Sequence, residues 1–431
     1  MNPELRRNVW LELSRHRVIA APVVLVLLLL LVSANEEAPW PAIFSWAAGI
    51  FVLVVHLWGT RKAAEAVTEE VRDRTWDWQR LSSLSPWAMA WGKLTGAPAF
   101  QWYVAALCVV FMSIAALMDG SIRGAGWVAL GLAASGLALH GAALAGSILA
   151  SRKDSKFGSR LGTLLLVPIA IVIAVAYMRP HEVEIAPVGW YGVSFDPQRF
   201  AAMAAALFAV WAVVAAHREM QRELAVRAVP WAYPAFAIFL GGFVAGFDAL
   251  SLAGRGTAFV YATFIGSVGL VYYGLVADVT TASSLGRIAF HARGGRWRRA
   301  VQELPLWATM LPVAAVFAVA AAMQSVPEGW NADAKALAPY PIAIFLMVLR
   351  DAGVLVFFAL GPRARRVEWT AIFYVILLDF IVPQLLALMG LEVVAGFLRP
   401  FGREGGLQAA GILAAHVAVV ALAIGWRWRR L

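Results

Sequence analysis

The chain has 431 residues, 61% hydrophobic and 14% charged, with a formal net charge of +10 at pH 7. That balance excludes a soluble globular protein. The basic residues are dispersed among loops, which argues against nucleic-acid binding and for a membrane protein whose cationic loops meet anionic lipid.

Apolar runs predict about twelve membrane-spanning helices, each near the ~20 residues that cross ~30 Å of hydrocarbon. The first run, Val18 to Val32, follows a basic start of Arg6, Arg7, Arg15 and Arg17. Val32-Ser33-Ala34 after it could pass for a cleavage site, but the many spans behind it favour a retained first span. Spans are predicted near 18–34, 40–58, 96–118, 126–150, 161–178, 200–216, 233–252, 257–277, 304–323, 338–360, 369–389 and 407–426. With the N-terminus inside, about 28 of the 36 Lys and Arg fall on the inner side and about 7 outside. Both termini are therefore expected in the cytoplasm, and the protein integral to the cytoplasmic (inner) membrane of a bacterium. The single cysteine, Cys108, lies within a span, so no intrachain disulfide forms.

Between the second and third spans stands a polar, aromatic stretch, Glu69 to Leu94. Its front half reads as an amphipathic surface helix with Val67, Val71, Trp78 and Leu81 on one face. In its back half, Ser85 is placed as N-cap and Pro86 as the first residue of a restarted helix that continues through Gly92-Lys93. Trp76, Trp78 and Trp87 suit a membrane interface, and Glu70, Asp73 and Asp77 offer carboxylates to a basic partner. The plainer reading is a surface helix with an aromatic belt and no partner.

This stretch resembles the cytoplasmic coupling region of type-2 ABC transporter permeases. Glu70, Thr75, Asp77, Leu84, Ser85, Pro86, Trp87, Gly92, Lys93 and Leu94 stand where that pattern has the same or a similar residue, without a gap. Arg74 replaces the family glycine, Ser83 a proline, and Ala88 a glutamate. The resemblance implies an exporter-like permease on which ATP-binding subunits dock through Glu70, Thr75, Trp76, Asp77, Leu84, Ser85, Pro86, Trp87, Gly92 and Lys93. It also implies a homo- or hetero-dimer with another permease. ATP and Mg belong to the partner subunit, since no Gly-x-x-x-x-Gly-Lys-Ser/Thr occurs in this chain. No cofactor is expected on the chain itself. Nor does it carry a Gly-x-Ser-x-Gly elbow, a dinucleotide fingerprint or metal-ligand spacing, so no enzymatic site is expected.

The layout repeats at an offset of about 210–220 residues. Asp278 to Glu303 is a second long cytoplasmic segment, ending Leu304-Pro305-Leu306-Trp307 against Leu84-Ser85-Pro86-Trp87, with Trp297 set against Trp76. Trp297 and Trp307 join the coupling residues on that basis. The expected fold is all-α, two six-helix halves (1–228 and 229–431), each with a cytoplasmic coupling element after its second span, 61–95 in the first and 278–303 in the second.

Ionisable residues within spans face protein or water because they are costly in hydrocarbon. Arg350 and Asp351 lie mid-span; being adjacent on a helix, they point about 100° apart and are not expected to pair. Asp379 and His140 are the expected partners, as a translocation or gating cluster or as a structural bond. Asp248 is expected deep in the seventh span beside Gly241, Gly242 and Gly246, which permit close helix approach. His56 and His416 are expected near the interface. The exporter reading competes with an ion-gradient-driven twelve-span secondary transporter that couples through Arg350, Asp351 and Asp379.

Overall fold

A computed structural model of the chain describes residues 2–34, 36–152, 186–250, 254–278, 280–324, 338–361, 367–399, 401 and 405–430. The predicted span 161–178 lies outside these residues. The structure is 81% helical. Nine helices among the described residues are long and apolar enough to cross a membrane, and the chain is a multi-pass membrane protein. It divides into two compact units, Met1–Val188 with Ser194–Ala228, and Gly189–Val193 with Val229–Leu431.

The first unit opens with α1 (Pro3–Glu12), capped by the Asn2 side chain, which accepts from the Glu4 and Leu5 amides. Ser14 caps α2 (Arg15–Ser33), whose leucines are mostly exposed, as a lipid-facing helix requires; Leu25 and Leu29 alone are buried. α3 (Pro39–Phe51) continues through a π-helical stretch, Val52–Gly59, into α4 (Thr60–Glu65) and α5 (Thr68–Arg72). The sequence ends this span near residue 58; the helical path instead runs 34 residues, from Pro39 to Arg72. After α6 (Trp76–Arg80) and α7 (Pro86–Gly96) come α8 (Ala99–Met118), α9 (Ile122–Ser151) and, beyond a short hairpin, α10 (Pro197–Glu223). Asp196 caps α10 through the Gln198 and Arg199 amides. Leu25, Ala47, Phe51, Cys108, Met112 and Leu132 form one core.

The π-helical stretch has a local cause. The His140 Nε2 atom on α9 lies 2.9 Å from the Val55 carbonyl, and Gly59 leaves room for its ring, since a Cβ there would collide with it. The next residue, His56, is buried and meets the Ser135 hydroxyl at 2.8 Å. His56 is thus buried within the first unit, and the polar partner that His140 finds there is the Val55 carbonyl of the π-helical stretch.

The hairpin pairs β1 (Val188–Trp190) with β2 (Val193–Phe195), the two strands of an otherwise helical chain among the described residues. Its turn residues Tyr191 and Gly192 both have positive φ (53° and 77°), which suits the right-handed twist of so tight a connection.

In the second unit, α11 (Ala232–Ala245) has 14 residues and gives way to a 3-10 turn, Asp248–Leu250. α12 (Arg255–Ala277), α13 (Ala282–Arg293), α14 (Trp297–Gln302), α15 (Leu306–Ala322) and α16 (Pro341–Ala359) follow. α17 (Val367–Ile376) passes through a second π-helical stretch, Leu377–Ile381, into α18 (Val382–Leu388); α19 (Glu392–Leu398) and α20 (Gly406–Trp428) complete the chain. Gly241 admits the Thr263 side chain of α12, so part of the expected close approach is realised. Asp248 lies beyond the end of α11, not deep in a span. It pairs with Arg255 at 2.8 Å and accepts from the Gly192 amide at 3.1 Å, and the Arg255 hydrogen bond foremost, with the Gly192 amide, holds its carboxyl below its usual range.

Candidate functional site

The front half of the segment Glu69 to Leu94 is not one amphipathic helix but two short ones, α5 and α6. α5 ends in a turn whose hydrogen bonds run from the Arg74 amide to the Val71 carbonyl (3.2 Å) and from Thr75 to Glu70 (2.9 Å). This is the Schellman arrangement, and it places Arg74 at φ 59°. The turn separates the expected apolar face. Val67 is fully buried, whereas Trp78 and Leu81 are 79% and 81% exposed. Ser85 then accepts from the Ala88 amide at 3.2 Å and, with Pro86 behind it, starts α7.

The same construction recurs about 220 residues further on. α13 ends with Gly295 bonding to Ala292 (3.1 Å) and Arg296 to His291 (2.9 Å), with Gly295 at φ 69°. A tryptophan follows two residues after each turn residue, Trp76 in one case and Trp297 in the other, and each opens a short helix. The second copy carries glycine at the left-handed position; the first carries arginine, whose Cβ is strained there. Arg74→Gly is therefore expected to stabilise the protein by about 1 kcal/mol, read from its unfolding midpoint in detergent.

Burial sorts the expected partner-binding residues into two sets. Thr75, Asp77, Ser85 and Trp87 are exposed, and Leu84 and Pro86 are half-exposed. Trp76, Gly92 and Lys93 are buried, a correction to their expected place on a docking face. The neighbour of Gly92 and Lys93 is α1, which the sequence left unassigned. A Cβ on Gly92 would stand 2.7 Å from the Glu4 Cβ and 2.9 Å from the Leu5 nitrogen, and one on Gly96 2.7 Å from the Asn8 Cβ. The Gly92–Gly96 stripe is thus the seat of α1, as small residues four apart allow.

Lys93 lies under that seat with 1% of its side chain exposed. Its ammonium donates to Glu4 at 3.0 Å, to the Gln79 carbonyl at 2.9 Å and to Glu70, and sits 5.1 Å from the centre of the Trp76 ring. Glu70 also accepts from Arg7 (3.0 Å) and Gln79 (2.7 Å). Glu70 is therefore engaged inside the unit. Burial alone would push the Glu4 carboxyl up, but the Lys93 charge and hydrogen bonds, with Asn8 and Arg7, bring it below its ordinary value of 4.5. The contact is complete above about pH 4.5 and is lost as pH falls through the lowered value. Amide exchange in α1, corrected for the intrinsic rate at each pH, is expected to rise across that interval.

A second network lies beside it. Arg152, at the end of α9, holds Glu219 and Glu223 of α10 at 2.9 Å each, and Glu223 also accepts from the Trp76 indole at 3.2 Å. The sequence hides these two acids inside the basic stretch His217 to Arg227. Only their spacing of four, which puts both on one face of α10, could have pointed to them.

In the second unit, Trp307 is buried with its indole on the Thr280 hydroxyl (3.1 Å), whereas Trp297 is 65% exposed. Buried and exposed tryptophans have changed places relative to Trp87 (50% exposed) and Trp76 (3%). Deeper in that unit, Arg350 reaches both carboxylates. Its guanidinium bonds Asp351 at 2.7 and 2.9 Å and Asp379 at 2.6 and 2.7 Å; Tyr272 donates to the other Asp351 oxygen at 2.7 Å. The expectation that Arg350 and Asp351 do not pair is corrected: the long arginine stem closes the angle between adjacent positions. Asp379 sits on the π-helical stretch, and all three charged groups are buried.

No protein-family model, curated protein or solved structure matches this chain.

Proposed function

We propose that this chain is the transmembrane permease subunit of an ATP-driven exporter, in the cytoplasmic membrane of a bacterium with both termini cytoplasmic. ATP and Mg are held by a separate nucleotide-binding subunit. One observation supports the reading above the others. The stretch that resembles a type-2 permease coupling region turns at Arg74 in a left-handed conformation, where the resembled pattern and the chain's own second copy both have glycine. A glycine in a pattern and a positive φ at the same position share one physical cause. The short helix after that turn presents Asp77, Trp78 and Leu81 to solvent, a combination of charge and apolar area fit for a protein partner.

An apolar cleft of ≈ 980 Å³ within the first unit supports a substrate with an apolar portion. Trp87, Trp91, Trp102, Tyr103, Val213 and His217 are among the residues lining it.

The test is capture from solubilised membranes, with wild type beside an Asp77→Ala/Trp78→Ala/Leu81→Ala variant. All three side chains are exposed, so loss of an ATP-binding subunit from the variant alone reads on docking and not on folding. An ion-gradient-driven secondary transporter is the second reading, favoured by the buried Arg350, Asp351, Asp379 and Tyr272 cluster. Failure to capture any nucleotide-binding partner, together with proton- or sodium-driven flux in liposomes, would replace the first reading by the second.

A further inference from the structure

The helix–turn–helix of α13 and α14 carries five arginines (Arg287, Arg293, Arg296, Arg298, Arg299) and ends at a single acid, Glu303. Glu303 is taken by Arg287 at 3.0 Å and by His291 at 3.2 Å. Among the described residues no carboxylate pairs with Arg293, Arg296, Arg298 or Arg299, and all four are exposed. Two large apolar side chains share that surface: Trp297, and Phe290 at 63% exposure, with the Arg296 guanidinium 4.8 Å from the Phe290 ring centre.

The place of this element is fixed by its two ends. The Asp278 carboxylate, just after α12, accepts from the Leu306 amide at the start of α15 at 2.8 Å, and Gly274 lets the Trp307 backbone come into contact with α12. The segment thus leaves and returns at the ends of two neighbouring apolar helices, where hydrocarbon gives way to headgroups. Exposed aromatics beside unpaired cations at that level match a lipid surface: the rings enter the headgroup boundary and the guanidinium groups meet phosphates. A partner's surface would also have to neutralise four arginines, whereas an anionic leaflet does so with no dedicated contacts.

We propose that α13 and α14 form an interfacial anchor that binds the phosphates of anionic lipid through Arg293, Arg296, Arg298 and Arg299, with Trp297 and Phe290 inserted beside them. The anchor is independent of whether an ATP-binding subunit docks on the first unit. It also gives the two similar segments different tasks, one turned to a protein and one to the membrane.

The test uses the full chain in nanodiscs. Its single cysteine, Cys108, is buried, so a nitroxide can be placed at Val301→Cys in a Cys108→Ser background. The ratio of collisions with oxygen, which enters the bilayer, to collisions with a water-soluble nickel chelate reports depth. Changing phosphatidylcholine discs to discs with phosphatidylglycerol is expected to raise that ratio several-fold, and high salt to reverse the change. Replacing the four arginines by glutamine should abolish the rise; replacing them by lysine should keep it, which shows the element still folded. A ratio that is high in both lipids would mean apolar anchoring without phosphate recognition and would overturn the proposal. So would a label that stays in water in both and becomes shielded only when an ATP-binding subunit is added.

Discussion

Replacing Lys93 by methionine is expected to lower stability by about 3–5 kcal/mol, although methionine fills nearly the same volume. The loss comes from what remains: Glu4 and Glu70 keep their charges with no ammonium between them, in a site closed to water by α1. Thermal unfolding in detergent measures the size of the effect. Protease cleavage within residues 3–12 measures its location, because α1 has no other buried ion pair to hold it on the Gly92–Gly96 seat among the described residues. A triple replacement, Lys93→Met with Glu4→Gln and Glu70→Gln, should recover most of the stability, since burying no charge costs less than burying an unpaired one. If Lys93→Met alone unfolds like wild type, the three-way contact is not what seats α1.

Arg350→Met in the second unit is expected to have an effect of the same order, about 3–5 kcal/mol, and for the same reason. Asp351 and Asp379 would face each other within the spans with Tyr272 as the remaining donor, and two like charges in hydrocarbon are the costliest arrangement the site offers. Asp351→Asn added to Arg350→Met should restore part of the loss, and adding Asp379→Asn more. Folded yield and unfolding midpoint in detergent check the order of the three variants. A secondary-transport role predicts something further: ion-driven flux would vanish in the folded triple variant, whereas ATP-driven export would survive wherever the cluster only joins helices.

The coarse plan of this protein was legible in its residues because lipid-facing surface is dictated by the solvent. A run of about twenty apolar residues has one stable home, and no tertiary detail changes it. Local backbone signals were legible for a similar reason. Ser85 followed by Pro86 satisfies a helix start by itself, whatever packs around it, and Asp379 was among the partners expected for Arg350. The path of the second span was not legible: His140, on another helix, takes up the Val55 carbonyl of its π-helical stretch, and the helical path continues past the polar residues expected to lie on the surface.

The residues expected to bind a partner divide for the same physical reason. The resemblance to a permease coupling region put Glu70, Trp76, Gly92 and Lys93 with Thr75, Asp77 and Trp87 as one docking set. The seating of α1 on Gly92 and Gly96 turned Gly92 and Lys93 inward, where Glu4 and Glu70, far apart in the chain, neutralise Lys93 and the Gln79 carbonyl accepts from it, while Trp76 is buried beside Glu223 of α10. Composition and local pattern determined that this is a multi-pass membrane protein, and where a helix such as α7 begins. Which charges are spent inside and which are left for partners was decided by long-range contacts, because a buried charge takes its counter-ion from whichever element folding brings near.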